Sequence, residues 1–177
     1  MPHLLYIEFI HPVRDYFATI RLSEFLFDWV APLLITILLY VLAFDNIQPE
    51  TVYSINGYSI NLLAILVGFS ITSLTILTAN SSKNIEDLKA HCTGRRIRGQ
   101  PVTLYRLIVL NFIFLLIMEF LALLYSFGFL FLIQINQLKA SFNEIFIVSI
   151  FFISHVVFLN IRNITNFYFI VTRETEI

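Results

Sequence analysis

The sequence contains little charge. Charged residues make up 13% of the 177 residues, hydrophobic residues make up 58%, and the mean hydropathy is +0.83. Soluble domains contain about 25% charged residues, so a surface this poor in charge would not stay hydrated. The composition therefore predicts a membrane protein, with the lipid bilayer as its first partner.

Other scarcities exclude further classes of protein. Cys92 is the only cysteine, so the chain can form neither an internal disulfide nor a cysteine metal cluster. The four histidines fall at different depths or in different compartments of the predicted topology, so we expect no metal site and no cofactor. Only 5 Gly and 5 Pro accompany 19 Phe and 8 Tyr, which argues against a disordered chain.

Catalytic motifs are missing as well. The segment Gly68-Phe69-Ser70-Ile71-Thr72 lacks the final glycine of a nucleophile elbow, and no phosphate-binding loop occurs. We therefore expect no catalytic residues and no enzymatic activity.

Four windows with few or no charges are long enough to cross a bilayer, which needs about 20 apolar residues per helix. They cover residues 29–44, 60–79, 104–135 and 145–161, the last extending to about residue 171. The first window is short unless the preceding LSEFLFD segment adds to it. Residues 1–28 show no signal-peptide pattern. The prediction is an all-α membrane protein with four transmembrane helices.

Lysine and arginine are distributed unevenly among the predicted loops. Ten of the eleven fall on one side of the membrane if both termini and the loop 80–106 lie together on that side. Positively charged residues are retained in the cytoplasm. We therefore predict that both termini and the loop 80–106 are cytoplasmic.

The N-terminal arm, residues 1–28, carries a helical pattern. Phe9, Val13, Tyr16, Phe17 and Ile20 recur at helical spacing, while the charged residues fall elsewhere. We predict an amphipathic interfacial helix that precedes a transmembrane domain of residues 29–177.

Two ionisable residues lie inside predicted spans. Glu119 is in the middle of the third, where a carboxylate costs about 2.5–3.5 kcal/mol on insertion scales. It is either a proton or cation site, or a protonated structural group bonded to a neighbouring helix. His155 lies at mid-depth in the fourth span, where it could share a proton with Glu119 or donate to a backbone carbonyl.

A row of small and polar residues, which we call the seam, marks one face of the second span. Its members are Asn61, Ala64, Gly68, Thr72, Thr75 and Ala79, spaced 3, 4, 4, 3 and 4 residues apart. The seam either permits close packing of helices or lines a narrow pore in a homo-oligomer.

The loop 80–106 carries Arg95, Arg96 and Arg98 between Gly94 and Gly99. This pattern predicts a flexible basic tip that binds lipid headgroups, nucleic-acid phosphate or an acidic partner, of which we do not expect direct nucleic-acid binding. The alternative is that these arginines only determine the topology.

Two segments carry a resemblance to known proteins. They are the arm HPVRDYFATIRLSEFLFDWVAPLLI, which leads straight into a span, and GYSINLLAILVGFSITSLTILTANSSKNIEDLK. They resemble the small multi-pass membrane effectors of bacterial anti-phage systems. The nearest type is the retron-associated transmembrane effector, described with two spans, and the next is the membrane subunit of the Kiwa defence system.

The resemblance implies a protein of the bacterial inner membrane that acts in abortive infection. A cytoplasmic partner, either a retron reverse transcriptase complex or a nucleic-acid-binding defence subunit, would hold it silent until release lets it permeabilise the membrane. The seam would then be the pore face and the basic loop the docking surface. The alternative is a non-conducting scaffold or sensor that recruits a soluble partner through that loop. A proton-linked carrier is disfavoured, because internal repeats and broken helices are not evident.

Overall fold

The computed structural model describes residue 8 and residues 10–43, 48–134 and 142–172. Phe9 of the predicted arm pattern and the predicted span ends at residues 44 and 135 lie outside these ranges. The described elements are α1 Ile10–Thr19, α2 Leu22–Phe25, a π-helical turn Leu26–Val30, α3 Ala31–Ala43, α4 Pro49–Ala79, α5 Lys83–Ala90, β1 Cys92–Ile97, β2 Gln100–Thr103, α6 Leu104–Gln134 and α7 Phe142–Thr172.

Four helices are long and apolar enough to cross a membrane. They are the first span Leu22–Leu42, the second span Glu50–Ala79, the third span Leu104–Leu132 and the fourth span Ile145–Phe169. At about 1.5 Å per residue, each covers the roughly 30 Å of a bilayer core. The predicted all-α fold with four spans is confirmed, and the helices are those of a multi-pass membrane protein.

The third span is the centre of the bundle. Its helix α6 packs against both α4 and α7, and α3 packs against α7. In the most apolar stretch of each span, 56% of the residues are buried for the third span but only 17% for the first. The first span is therefore an edge helix that packs mainly against α7.

The first span begins earlier than residue 29. Helix α2, the π-helical turn and α3 follow one another without a break, so the LSEFLFD segment supplies the missing length. The predicted boundary at residue 28 therefore falls inside a helix. Pro32 also lies inside it, just after the π-helical turn, and has no N–H to give to the carbonyl of Asp28 four residues earlier.

The predicted arm helix is present as α1, which packs against α6 and β1. Tyr16 is 1% exposed, and its ring stacks on that of Phe114 with 3.6 Å between the centroids. Phe114 is ten residues inside the third span, or about 15 Å along the helix axis. The arm is thus amphipathic, but its apolar face packs on the bundle and reaches towards the interior.

The loop 80–106 contains a β-hairpin, which corrects the predicted flexible tip. Strands β1 and β2 are antiparallel, and Ile97 pairs with Gln100 across a two-residue turn. Arg98 and Gly99 both have positive φ, 51° and 82°, as the tight I′ hairpin turn requires. A third positive φ, at Gly94, accompanies the irregular pairing inside β1.

The hairpin is docked on the bundle by its apolar face. Ile97 and Val102 are buried and form a cluster with Leu107 and Leu110 of α6. Helix α1 contacts β1, and α5 contacts β2, α6 and α7. We call this end of the bundle the hairpin end.

Candidate functional site

An ion pair between the first and fourth spans lies inside the bundle. Arg162 contacts Asp28 Oδ2, and the two side chains are 12% and 0% exposed. The hydroxyl of Tyr16 donates to the same oxygen at 2.6 Å, and the Arg162 guanidinium lies 5.6 Å from the centre of the Tyr16 ring. One carboxylate therefore joins the arm, the first span and the fourth span.

The two charges of this cluster stabilise the bundle only as a pair. A buried ion pair gains little over apolar packing, but removal of one partner leaves an uncompensated charge inside the bundle. Burial raises the pKa of the Tyr16 phenol above its ordinary value, so the hydroxyl stays protonated and keeps donating to Asp28. The buried atoms Asp28 Oδ1, Arg162 Nε and Arg162 Nη2 have no partner among the described residues. The cluster is thus only partly satisfied, and it holds together only while the pair is intact.

His155 binds the backbone of the first span. Its Nδ1 lies 2.5 Å from the carbonyl oxygen of Asp28, the same carbonyl that Pro32 leaves without a helical donor. Because a carbonyl only accepts, Nδ1 carries the proton. The imidazole lies between the rings of Trp29 and Phe151, at 4.2 Å and 5.8 Å between centroids. Of the two predicted arrangements, the structure shows the backbone carbonyl as the partner.

Glu119 ties three helices together. Its Oε1 accepts from Ser70 Oγ of α4 and from Asn160 Nδ2 of α7, each at 2.9 Å, and the residue is 0% exposed. Glu119 and His155 are therefore held by different partners. The hydrogen bonds to neighbouring helices match the structural alternative for Glu119, and its role in proton or cation movement stays a prediction.

Arg95 anchors the hairpin to the first span. Its Nη1 donates to Glu24 Oε2 at 3.0 Å and to the carbonyl of Thr19 at 2.8 Å, while Nη2 donates to Glu24 Oε1. This two-pronged pairing is the strongest form of an arginine–carboxylate contact. Arg96 and Arg98 are exposed, and Arg98 Nε lies 3.9 Å from Asp15. Of the three arginines predicted to bind a partner, Arg95 faces inward and the other two face outward.

The seam faces away from the chain's own core. All six of its residues are exposed, whereas the buried residues of α4, which include Val52, Leu63, Val67, Ser70 and Leu77, lie on the opposite side at about 100° per residue. The hydroxyls of Thr72 and Thr75 donate to their own helix, at 2.8 Å to the carbonyls of Gly68 and Ile71. Packing among the residues that the structure describes does not use the seam. Packing between copies and pore lining stay predictions.

Gly68 has free space around it. A Cβ placed on Gly68 would meet no atom outside its own helix within 4 Å. A larger side chain there would leave the described fold undisturbed, so a neighbour that it obstructs would lie beyond the described residues.

Asp28 and Arg162 were not identified from the sequence. Each borders a charge-free window, which is typical of a residue that flanks a span. The sequence does contain a signal for the ion pair, because the two opposite charges border the first and fourth spans on the same predicted side of the membrane. Two spans of a bundle can pair such charges inside the membrane.

Within the described ranges, no group of three His, Cys, Asp or Glu side chains could hold a metal ion. Comparisons of the chain with protein-family models, with curated proteins and with solved structures found no match. The function is therefore argued from the geometry of the seam, the hairpin and the buried cluster.

Proposed function

We propose that this chain is an effector of bacterial anti-phage defence that assembles through the seam into a homo-oligomer and permeabilises the inner membrane. The observation that carries the proposal is the outward position of the seam. The four spans bury their own core without it, so a row of polar and small side chains is left for another molecule.

The polar members of the seam favour assembly in a bilayer. Asn61 is exposed and lies eleven residues into a second span of 30 residues, so its amide faces the hydrocarbon of an isolated chain. A polar group without a partner there costs several kcal/mol. A second copy or a water-filled pore removes that cost, and Ala64 and Gly68 allow the close approach of helices that either arrangement needs.

The buried contacts at the hairpin end give a partner a route to the first span. Arg95 connects the hairpin to Glu24 at the start of the first span, and Asp28 lies one helical turn further along. We propose that the hairpin end is cytoplasmic, as the positive-inside rule favours. A partner that binds Arg96 and Arg98 would then act on the edge helix through this connection. A reverse transcriptase complex or a nucleic-acid-binding defence subunit is the partner expected.

Membrane potential in bacterial cells tests the proposal. Cells induced for the intact chain alone should depolarise within minutes, and Gly68→Leu should suppress this. Gly128→Leu is the matched control, because Gly128 is also exposed with open space around it but lies on the third span. An unchanged potential, with the intact chain present in the membrane fraction, would contradict the proposal. Equal depolarisation by both variants would exclude the seam as the surface through which the chain assembles and permeabilises the membrane.

A scaffold or sensor is the second candidate, and the docked hairpin favours it. The docked β-hairpin presents Arg96 and Arg98 to solvent next to each other on one element, as a recognition surface needs. For a scaffold, replacement of both by Glu should abolish co-purification of the soluble partner, while the intact chain leaves the membrane potential unchanged.

A further inference from the structure

A cavity of about 460 Å³ lies at the hairpin end, between the hairpin and the ends of the spans. Its size falls within the roughly 300–1,000 Å³ of small-molecule sites. Its lining includes Glu24, Arg95, Ile108, Asn111, Asn166 and Phe169. Glu24, Leu104 and Phe169 lie at or near the same ends of three spans, so the cavity is level with the polar headgroups of a bilayer.

The lining of the cavity combines polar and apolar groups. The polar groups include the ion pair of Glu24 and Arg95 and the amides of Asn111 and Asn166, and the apolar groups are leucine, isoleucine and phenylalanine side chains. A molecule that fits both must have a polar end and an apolar end. Phospholipids meet this requirement and are present at high concentration at this depth.

The hydrogen bonds of the ion pair indicate which charges the polar end of the bound molecule must carry. Glu24 accepts three hydrogen bonds, from Arg21 N–H and from two nitrogens of Arg95, of about four that a carboxylate can accept. Arg95 uses three of its five N–H donors, two on Glu24 and one on Thr19. The pair has no net charge, yet it keeps both a negative and a positive group beside the cavity.

We propose that this cavity binds the headgroup of phosphatidylethanolamine, with the phosphate at Arg95, the ammonium at Glu24 and the acyl side along Ile108 and Phe169. A phospholipid with a single negative charge would be repelled by Glu24 as it is attracted by Arg95. A choline headgroup has no N–H to donate to a carboxylate. The ethanolamine headgroup supplies both charges and donors, and the site does not depend on whether the chain permeabilises membranes.

Native mass spectrometry of the purified full chain tests the site. The detergent-solubilised protein is mixed with equal amounts of phosphatidylethanolamine, phosphatidylcholine and phosphatidylglycerol of the same acyl chains. Retention of one phosphatidylethanolamine should exceed that of the other two by about tenfold, because a hydrogen bond to a charged group changes affinity by about that factor. Asn166→Phe, which fills the cavity and keeps the ion pair, should remove this preference.

The control for that variant is Ile164→Phe, which adds the same side chain on α7 at an exposed position outside the cavity. It should retain the lipid as the intact chain does. Equal retention of the three lipids, or an unchanged preference in Asn166→Phe, would overturn the proposal. Displacement of the lipid by millimolar soluble glycerophosphoethanolamine would also overturn it, because the site would then recognise a soluble compound.

Discussion

Arg162 of the fourth span and Asp28 of the first span form an ion pair inside the bundle, on the carboxylate oxygen that also accepts the hydroxyl of Tyr16. Tyr16 and Asp28 are 12 residues apart in the sequence, whereas Arg162 comes from the last span. Little of the first span is buried, so this cluster and the contact of His155 with the Asp28 carbonyl fix the edge helix together with its packing against α7.

Removal of one member of the pair should destabilise the bundle strongly. We expect Arg162→Leu to lower the free energy of unfolding by about 3–5 kcal/mol, because it leaves the Asp28 carboxylate buried without a counter-charge. Unfolding of the detergent-solubilised protein, followed by circular dichroism, measures the change. Arg96→Leu is the control, since Arg96 is exposed and its loss should change stability by no more than about 0.5 kcal/mol.

The double variant Asp28→Leu/Arg162→Leu distinguishes the attraction between the two side chains from the cost of leaving one charge buried alone. Its loss of stability should be smaller than the sum of the two single losses, because neither charge is then left alone. Additive losses would show that the two side chains do not interact.

The phenol of Tyr16 should give a stability change at alkaline pH. Burial raises its pKa above the ordinary value near 10, so the folded chain binds this proton more tightly than the unfolded chain does. The contribution is complete below pH 10 and is lost as the pH rises above it. The free energy of unfolding, measured from pH 9 to 11.5, should therefore fall more steeply for the intact chain than for Tyr16→Phe.

Tyr16→Phe has a second expected effect at neutral pH. It removes the hydrogen bond to Asp28 but keeps the stack on Phe114, so the free energy of unfolding should fall by about 1–3 kcal/mol. For the alkaline range, an equal dependence of the free energy of unfolding on pH in the intact chain and in Tyr16→Phe would mean that the phenol is not held as the structure shows.

The sequence predicts the spans well because a bilayer needs long charge-free windows, and the arm helix because Val13, Tyr16 and Phe17 share one face. It misses the hairpin because the arginines and glycines of residues 92–103 are typical of a flexible loop. Gly99 permits the positive φ of a hairpin turn, but glycine is equally typical of a flexible loop. The spacing of the residues also does not predict whether the seam faces the core or the exterior of the bundle. A helix with a polar and an apolar face can turn either one inward, and here Ser70 faces inward to Glu119.

Glu119 should tolerate loss of its charge but not loss of its oxygen. Glu119→Gln keeps an acceptor for Ser70 and Asn160, so stability should change by less than about 1 kcal/mol. Glu119→Leu leaves both donors unpaired and should cost about 1–3 kcal/mol for each of them. Thermal unfolding of the two variants side by side checks this. A larger loss in Glu119→Gln than in Glu119→Leu would show that the charge itself is needed for folding.

The hairpin should loosen when its anchor is removed. Glu24→Gln weakens the charge-assisted bonds to Arg95, so trypsin should cleave after Arg96 and Arg98 about tenfold faster than in the intact chain. Glu86→Gln, an exposed carboxylate on α5, should leave the cleavage rate unchanged. Equal cleavage of Glu24→Gln and the intact chain would mean that Arg95 does not hold the hairpin in place.

Disulfide crosslinking along the second span tests the central claim most directly. In a Cys92→Ser background, which removes the exposed native thiol, Thr72→Cys lies on the seam and Ser73→Cys faces the core of the same chain. Mild oxidation of isolated membranes should convert Thr72→Cys to covalent dimers and leave Ser73→Cys monomeric. Monomeric Thr72→Cys, or equal dimer formation by the two variants, would contradict assembly through the seam.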